Sequence, residues 1–182
     1  MAAESPRAGH DAAATPREHK THAPRPVAIG CYVLTISDSK TPETDTSGAL
    51  IRELLTAAGH PVIGSTIVRD DPDAVRRVIR DASARADVQA IILTGGTGIT
   101  SRDSTFEAVE SLLDKRLPGF GELFRMLSFE EIGAAAMLSR AQMGIHQRRI
   151  VVSLPGSPNA CRLALEKLIV PELPHLVREM SR

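Results

Sequence analysis

The chain has 182 residues, 42% of them hydrophobic, and its 22 Lys and Arg are balanced by 22 Asp and Glu, for a formal net charge of zero at neutral pH. That length suits one globular domain with a proper core, and the balance excludes a global field drawing the chain to nucleic acid or an anionic membrane. No apolar run approaches the roughly 20 residues needed to cross a bilayer, and the N-terminal residues lack the apolar core of a secretory signal, so a cytoplasmic protein is expected.

Residues 1–26 are rich in Ala, Pro, charged residues and His, without hydrophobic periodicity, and are expected to form a disordered tail. His10, His19 and His22 within it read as incidental. The domain is expected over 27–182. It begins with the nearly all-apolar run V-A-I-G-C-Y-V-L-T-I (27–36), which reads as a central strand of a parallel sheet covered on both faces. Cys31 in this run and the distant Cys161 have no nearby Cys or His and read as buried, reduced thiols. A polar stretch leads to a helix in which Leu50, Ile51, Leu54 and Leu55 recur at helical spacing and Gly59 supplies a stop.

A weaker strand is predicted over 61–68, then a helix capped by Asp71 with Pro72 in its first turn and running to about Ala86 on Val75, Val78, Ile79 and Ala82. A third apolar strand covers 88–93. After L-T-G-G-T-G-I-T-S-R-D (93–103) a helix is predicted through Phe106, Val109, Leu112 and Leu113. Past Pro118 two helices are expected, broken near Ser128 or Gly133. The last strand is 149–154, followed by P-G-S-P (155–158) and a closing helix from Asn159, kinked or restarted beyond Pro171. Alternating strands and helices predict an α/β class: one three-layer domain, a mostly parallel sheet with helices on both faces.

In open α/β sheets ligands bind outside the carboxyl ends of the strands, which directs attention to the loops at 37–48, 94–104 and 155–159. Gly95, Gly96 and Gly98 remove side chains so that backbone N–H groups can approach a phosphate at a helix N-terminus, and Thr97, Thr100 and Ser101 add hydroxyls. The same glycines also serve a tight turn. The loop has no Gly-Lys-Ser/Thr and carries Ser101 where a third dinucleotide-motif glycine would stand, so Walker A and Rossmann readings lose ground. Asp103 and Asp45 each precede a helix and read either as caps or as magnesium ligands. Pro155, Gly156 and Ser157 either redirect the chain or bring a backbone and a hydroxyl to the ligand. Lys40, Arg102, Arg125 and Arg140 are candidate cations for an anionic substrate or solvated surface residues. His146 reads as a loop or surface residue, and no acyl-transfer triad is apparent.

D-T-S-G from Asp45, T-G-G-T-G from Thr94, Asp103, the string G-F-G-E-L-F-R-M-L-S-F-E-E-I-G from Gly119, P-G-S-P and Ala160-Cys161-Arg162 together resemble the MoaB/MogA family, nearest its MoaB branch, over about 25–177. The resemblance implies the molybdopterin-binding fold shared with the gephyrin G domain, a homo-oligomer (trimer or hexamer), and adenylylation of molybdopterin by Mg-ATP with release of pyrophosphate. The product would pass to a molybdate-insertion enzyme. On this reading Asp45 and Asp103 are catalytic and hold Mg2+. Thr94, Gly95, Gly96, Thr97, Gly98, Ser101, Pro155, Gly156 and Ser157 would bind nucleotide or pterin. Ile99 and Phe106 stand where the MogA branch commonly has proline. The resemblance also implies paralogues that hold or transfer the pterin without catalysis, although both aspartates and Ser101-Arg102-Asp103 are present here.

Overall fold

The computed structural model describes residues 27–100 and 103–182; the expectations for the tail, Ser101 and Arg102 lie outside the described residues. Six strands form one sheet: β1 (Cys31–Ile36), β2 (Val62–Val68), β3 (Ala90–Thr94), β4 (Lys115–Arg116), β5 (Gln142–His146) and β6 (Arg149–Leu154), in the spatial order β2-β1-β3-β6-β5-β4. The first four strands of that order run parallel, and β5 and β4 add an antiparallel edge. The register aligns Ile36 with Val68, Thr35 with Thr94 and Thr94 with Leu154, so four carboxyl ends finish along one rim.

The near-continuous apolar strands have two faces because successive side chains point oppositely. Cys31, Val33, Ala90, Ile92, Ile150, Val152 and Leu154 pack in one cluster with α1 (Thr46–Ala57), α4 (Pro118–Ile132), α5 (Pro158–Ala164) and α6 (Val170–Met180). Leu34, Ile36, Ile91, Leu93 and Val151 pack in the other with α2 (Pro72–Ser83) and α3 (Thr105–Glu110). This is the three-layer α/β arrangement expected from the alternation. Cys31 and Cys161 are free and buried, and burial pushes their thiols up to about 12 and about 11.

Several elements differ from the sequence reading. The stretch before β6 is itself a strand, β5, joined to β6 by a turn at Gln147 and Arg148, whose φ angles of 46° and 60° lie in the left-handed region. His146 therefore ends a strand and is buried, its ring nitrogens without hydrogen-bond partners, rather than sitting in a surface loop. Ser128 does not interrupt α4; the break falls at Gly133 (φ 63°), where a 3-10 segment, Gly133–Leu138, begins. Helix α3 stops at Glu110, before Leu112 and Leu113. Between α5 and α6 the chain winds as a π segment, Leu165–Ile169, which accommodates Pro171, lacking an N–H to continue the helical ladder.

Candidate functional site

At the shared rim the glycine loop after β3 and the turn after β6 are fastened together. Gly95 N–H donates to the Leu154 carbonyl at 3.1 Å, and the Thr94 hydroxyl donates to the Pro155 carbonyl at 3.0 Å while lying 3.3 Å from the Cys161 sulfur. From α1, the Ser47 hydroxyl donates to the Gly156 carbonyl at 2.7 Å. Thr94 is only 1% exposed, so its hydroxyl positions the turn rather than facing a ligand. Ser157 caps α5, its oxygen accepting from Ala160 N–H at 3.2 Å. Gly95 (φ 100°) and Gly96 (φ 63°) need their backbone freedom, and both also need their bare α-carbons: a Cβ at Gly95 would strike the Ile36 carbonyl, and one at Gly96 would strike the Thr105 hydroxyl and crowd Asp70 Oδ2.

The two aspartates singled out in the sequence occupy separate settings. Asp45 Oδ1 accepts from Gly48 N–H at 2.9 Å as the cap of α1, and Oδ2 accepts from the Thr35 hydroxyl at 2.8 Å with Arg52 3.7 Å away. With its side chain 2% exposed and both oxygens engaged within the fold, Asp45 anchors the start of α1. Asp103 does not cap α3: its Oδ2 accepts from Thr100 N–H at 2.9 Å and from the Thr100 hydroxyl at 2.6 Å. The Thr100 hydroxyl holds this carboxyl below its usual range against the opposing effect of partial desolvation. Asp103 thus sits in the donors of its own loop, at the glycine-loop side of the rim.

Asp70 was missed. It follows β2, and its Oδ1 accepts from the Ser104 hydroxyl at 3.1 Å and Ser104 N–H at 3.4 Å, tying β2 to the start of α3 and leaving Oδ2 toward Gly96. Partial burial raises its pKa, and the neighbouring Asp103 and Asp38 carboxylates add to the rise. Its neighbour Asp71 caps α2 as expected, accepting from Ala74 N–H at 2.7 Å. The rule that singled out three loops at strand ends applies equally to the end of β2.

A cation fits this corner better than it fits Asp45. The Thr105 hydroxyl is fully buried with no hydrogen-bond partner, and it lines the same notch over Gly96 that Asp70 Oδ2 faces. Among the described residues no group of three or more His, Cys, Asp or Glu could hold a metal ion alone. One or two carboxylates completed by water and substrate phosphates is the arrangement magnesium favours.

Beside the loop, a cleft of about 650 Å³ opens between the turn after β1 and β2, lined by Ser37, Asp38, Lys40, Arg52, Thr66 and Arg69 among others. Lys40 therefore does face a cavity at the rim. Arg125 instead donates to the Ser139 carbonyl, and Arg140 reaches the glycine loop itself.

A doubly covered, mostly parallel sheet with a glycine loop, a carboxylate corner and a polar cleft at its strand ends defines a three-layer α/β domain with its candidate ligand site at the rim. Residues 32–175 match the family model described as "Probable molybdopterin binding domain". The chain is 51% identical over 166 residues to molybdenum cofactor biosynthesis protein B of Halalkalibacterium halodurans, covering 91% of this chain and 96% of that one, and 48% identical over 167 residues to the protein of that name in Bacillus subtilis, covering 91% and 97%. The crystal structure of the tungsten cofactor synthesizing protein MoaB from Pyrococcus furiosus matches with a TM-score of 0.77 at 38% identity, covering 88% of this chain and all of that one. The chain belongs to this molybdopterin-binding family of molybdenum cofactor biosynthesis proteins.

Proposed function

We propose that the protein acts in molybdenum cofactor biosynthesis by transferring the adenylyl group of Mg-ATP to molybdopterin, releasing pyrophosphate. The observation that carries this reading is the corner where Asp70 Oδ2 and the unpartnered Thr105 hydroxyl meet over Gly96, with Asp103 close enough to raise the Asp70 pKa. The terminal phosphate of the pterin is largely dianionic at neutral pH, its second pKa being about 6, so the attack on the α-phosphorus needs no strong base. What remains is orientation and charge neutralisation.

Asp70 and Asp103 would hold the magnesium ion, which supplies charge neutralisation at the phosphates when bound. Backbone N–H groups of the glycine loop would hold a phosphate. Lys40 and Arg69 would meet an anionic substrate in the cleft, which Asp38 and the Asp45–Arg52 pair also line. Thr94 and Ser47 keep the 155–156 turn against Gly95. Pyrophosphate release that needs molybdopterin, ATP and magnesium together supports the reading. Asp103→Ala is expected to reduce turnover about 100-fold, the loss typical of removing one charge-stabilising group, with a smaller change in pterin affinity.

A second reading, implied by the family resemblance, is a paralogue that holds or hands on the pterin without catalysis. Tight pterin binding without pyrophosphate release would favour it. The family resemblance implies a homo-oligomer and delivery to a molybdate-insertion enzyme. Leu123, Met126, Phe129 and Ile132 of α4, with Met137 and Leu138 beyond it, are 48 to 78% exposed. An exposed apolar set of this size on one helix and its extension marks a contact face, and a second copy of the chain is the occupant proposed for it.

A further inference from the structure

Arg140 lies on the segment between the 3-10 turn and β5, yet its guanidinium ends at the glycine loop. Its Nε donates to the Thr97 carbonyl at 3.0 Å, and one terminal nitrogen donates to the Gly98 carbonyl and, at 3.1 Å, to that of Asp103. The other terminal nitrogen pairs with Glu107 on α3, and the guanidinium carbon lies 5.0 Å from the centroid of the Phe106 ring. Two residues on, the Gln142 amide donates to the Phe106 carbonyl at 2.8 Å, so the same segment grips α3 twice.

The consequence follows from peptide geometry. In a trans peptide the C=O of one residue and the N–H of the next point in opposite directions, and the described residues contain no cis bond. Drawing the carbonyls of Thr97 and Gly98 toward Arg140 turns the N–H groups of Gly98 and Ile99 away from it, and the Gly98 N–H meets an anion there already, the Asp103 carboxylate. The third carbonyl provides an internal check: with the Asp103 oxygen on Arg140, the Ser104 N–H points toward Asp70, where it donates. A planar fork holding three carbonyls that lie in two stretches of chain needs several donors at fixed angles, which Arg has and Lys lacks.

We infer that Arg140 is a positioning residue that presets the glycine loop by gathering its carbonyls, so that its N–H groups already face the phosphate site before an anion arrives. This rests on the proposed phosphate role of the loop for its functional meaning, but the geometric part is independent of it. All three guanidinium nitrogens of Arg140 are engaged within the protein, so it acts through the backbone of Thr97, Gly98 and Asp103.

The test compares the full-length protein with Arg140→Lys and Arg140→Gln by amide hydrogen exchange and by Mg-ATP binding in calorimetry. Both variants are expected to exchange about tenfold faster over 95–100 while β1 and β6 keep their protection, and Mg-ATP affinity is expected to fall about tenfold, the equivalent of one charge-assisted hydrogen bond. Should Arg140→Gln not fold, Arg140→Lys alone decides the matter, because it keeps the charge and loses the fork. Unchanged exchange over 95–100, acceleration spread equally through β1 and β6, or full recovery by lysine would overturn the inference. Local acceleration in variants of a protein that binds no Mg-ATP even as wild type would uphold the positioning and instead sink the adenylylation reading.

Discussion

Partial burial, with Asp103 and Asp38 close by, disfavours the ionised form of Asp70, and that sets a sign for its contribution to stability. A carboxyl whose folded pKa is raised contributes stability that is present below its unfolded pKa and is lost as pH rises through the folded one. Asp70→Asn, which keeps an oxygen for Ser104, is therefore expected to melt higher than wild type at pH 7, the gap closing toward pH 4. The same variant should lose the stabilisation that Mg-ATP gives the wild type. A variant that melts lower at pH 7, or that is stabilised by Mg-ATP as wild type is, would contradict the cation corner. Asp45 carries the opposite expectation. Asp45→Ala removes a helix cap and strips the Thr35 hydroxyl of its acceptor, a cost of about 1–2 kcal/mol in urea unfolding, while Asp45→Asn recovers most of it. Sequence alone left Asp45 and Asp103 as caps or ligands, since an acid before a helix serves either. Only the partners of each oxygen separate the two, and Asp70 was overlooked because Asp71 and Pro72 already explained the start of α2.

The strands and helices whose burial is reflected in an apolar pattern were legible: β1, β3 and β6 as apolar runs, α1 and α2 by their spacing and caps. The β4–β5 edge was not. Its hairpin turn uses Gln147 and Arg148 where Asn-Gly or Gly-Gly would announce a two-residue turn, so the chain hides the reversal. Asp114 helps hold the turn, its Oδ2 accepting from Gln147 N–H at 2.7 Å. Left-handed backbone at a residue with a side chain costs about 1–2 kcal/mol. Gln147→Asn with Arg148→Gly is accordingly expected to stabilise the protein by about 1 kcal/mol, read as a higher urea midpoint at unchanged slope. An unchanged or lower midpoint would mean that the turn is not strained. Similarly, α3 was extended too far in the sequence reading because Leu112 and Leu113 continue its apolar spacing, while the backbone leaves the helix to reach β4.

For the whole molecule, the α/β class was readable, because strands apolar on both faces alternate with helices that cover them. The contact face was not readable, because in sequence an apolar residue destined for a neighbour looks the same as one destined for the core. Within α4, Phe120 and Phe124 stack at 6.2 Å in the core while Met126 and Phe129 are exposed. Phe129→Glu combined with Met137→Glu is expected to yield a monomer by light scattering with the far-ultraviolet spectrum retained. A wild type that is already monomeric, or a variant that still associates, would remove the proposed self-contact. The proposed adenylylation depends on the corner over Gly96. Its most direct measurement is mass spectrometry of the pterin after incubating the protein with molybdopterin, ATP and magnesium: adenylyl-molybdopterin formed by wild type and lost in Asp70→Asn is the expected result, and bound but unmodified molybdopterin would contradict it.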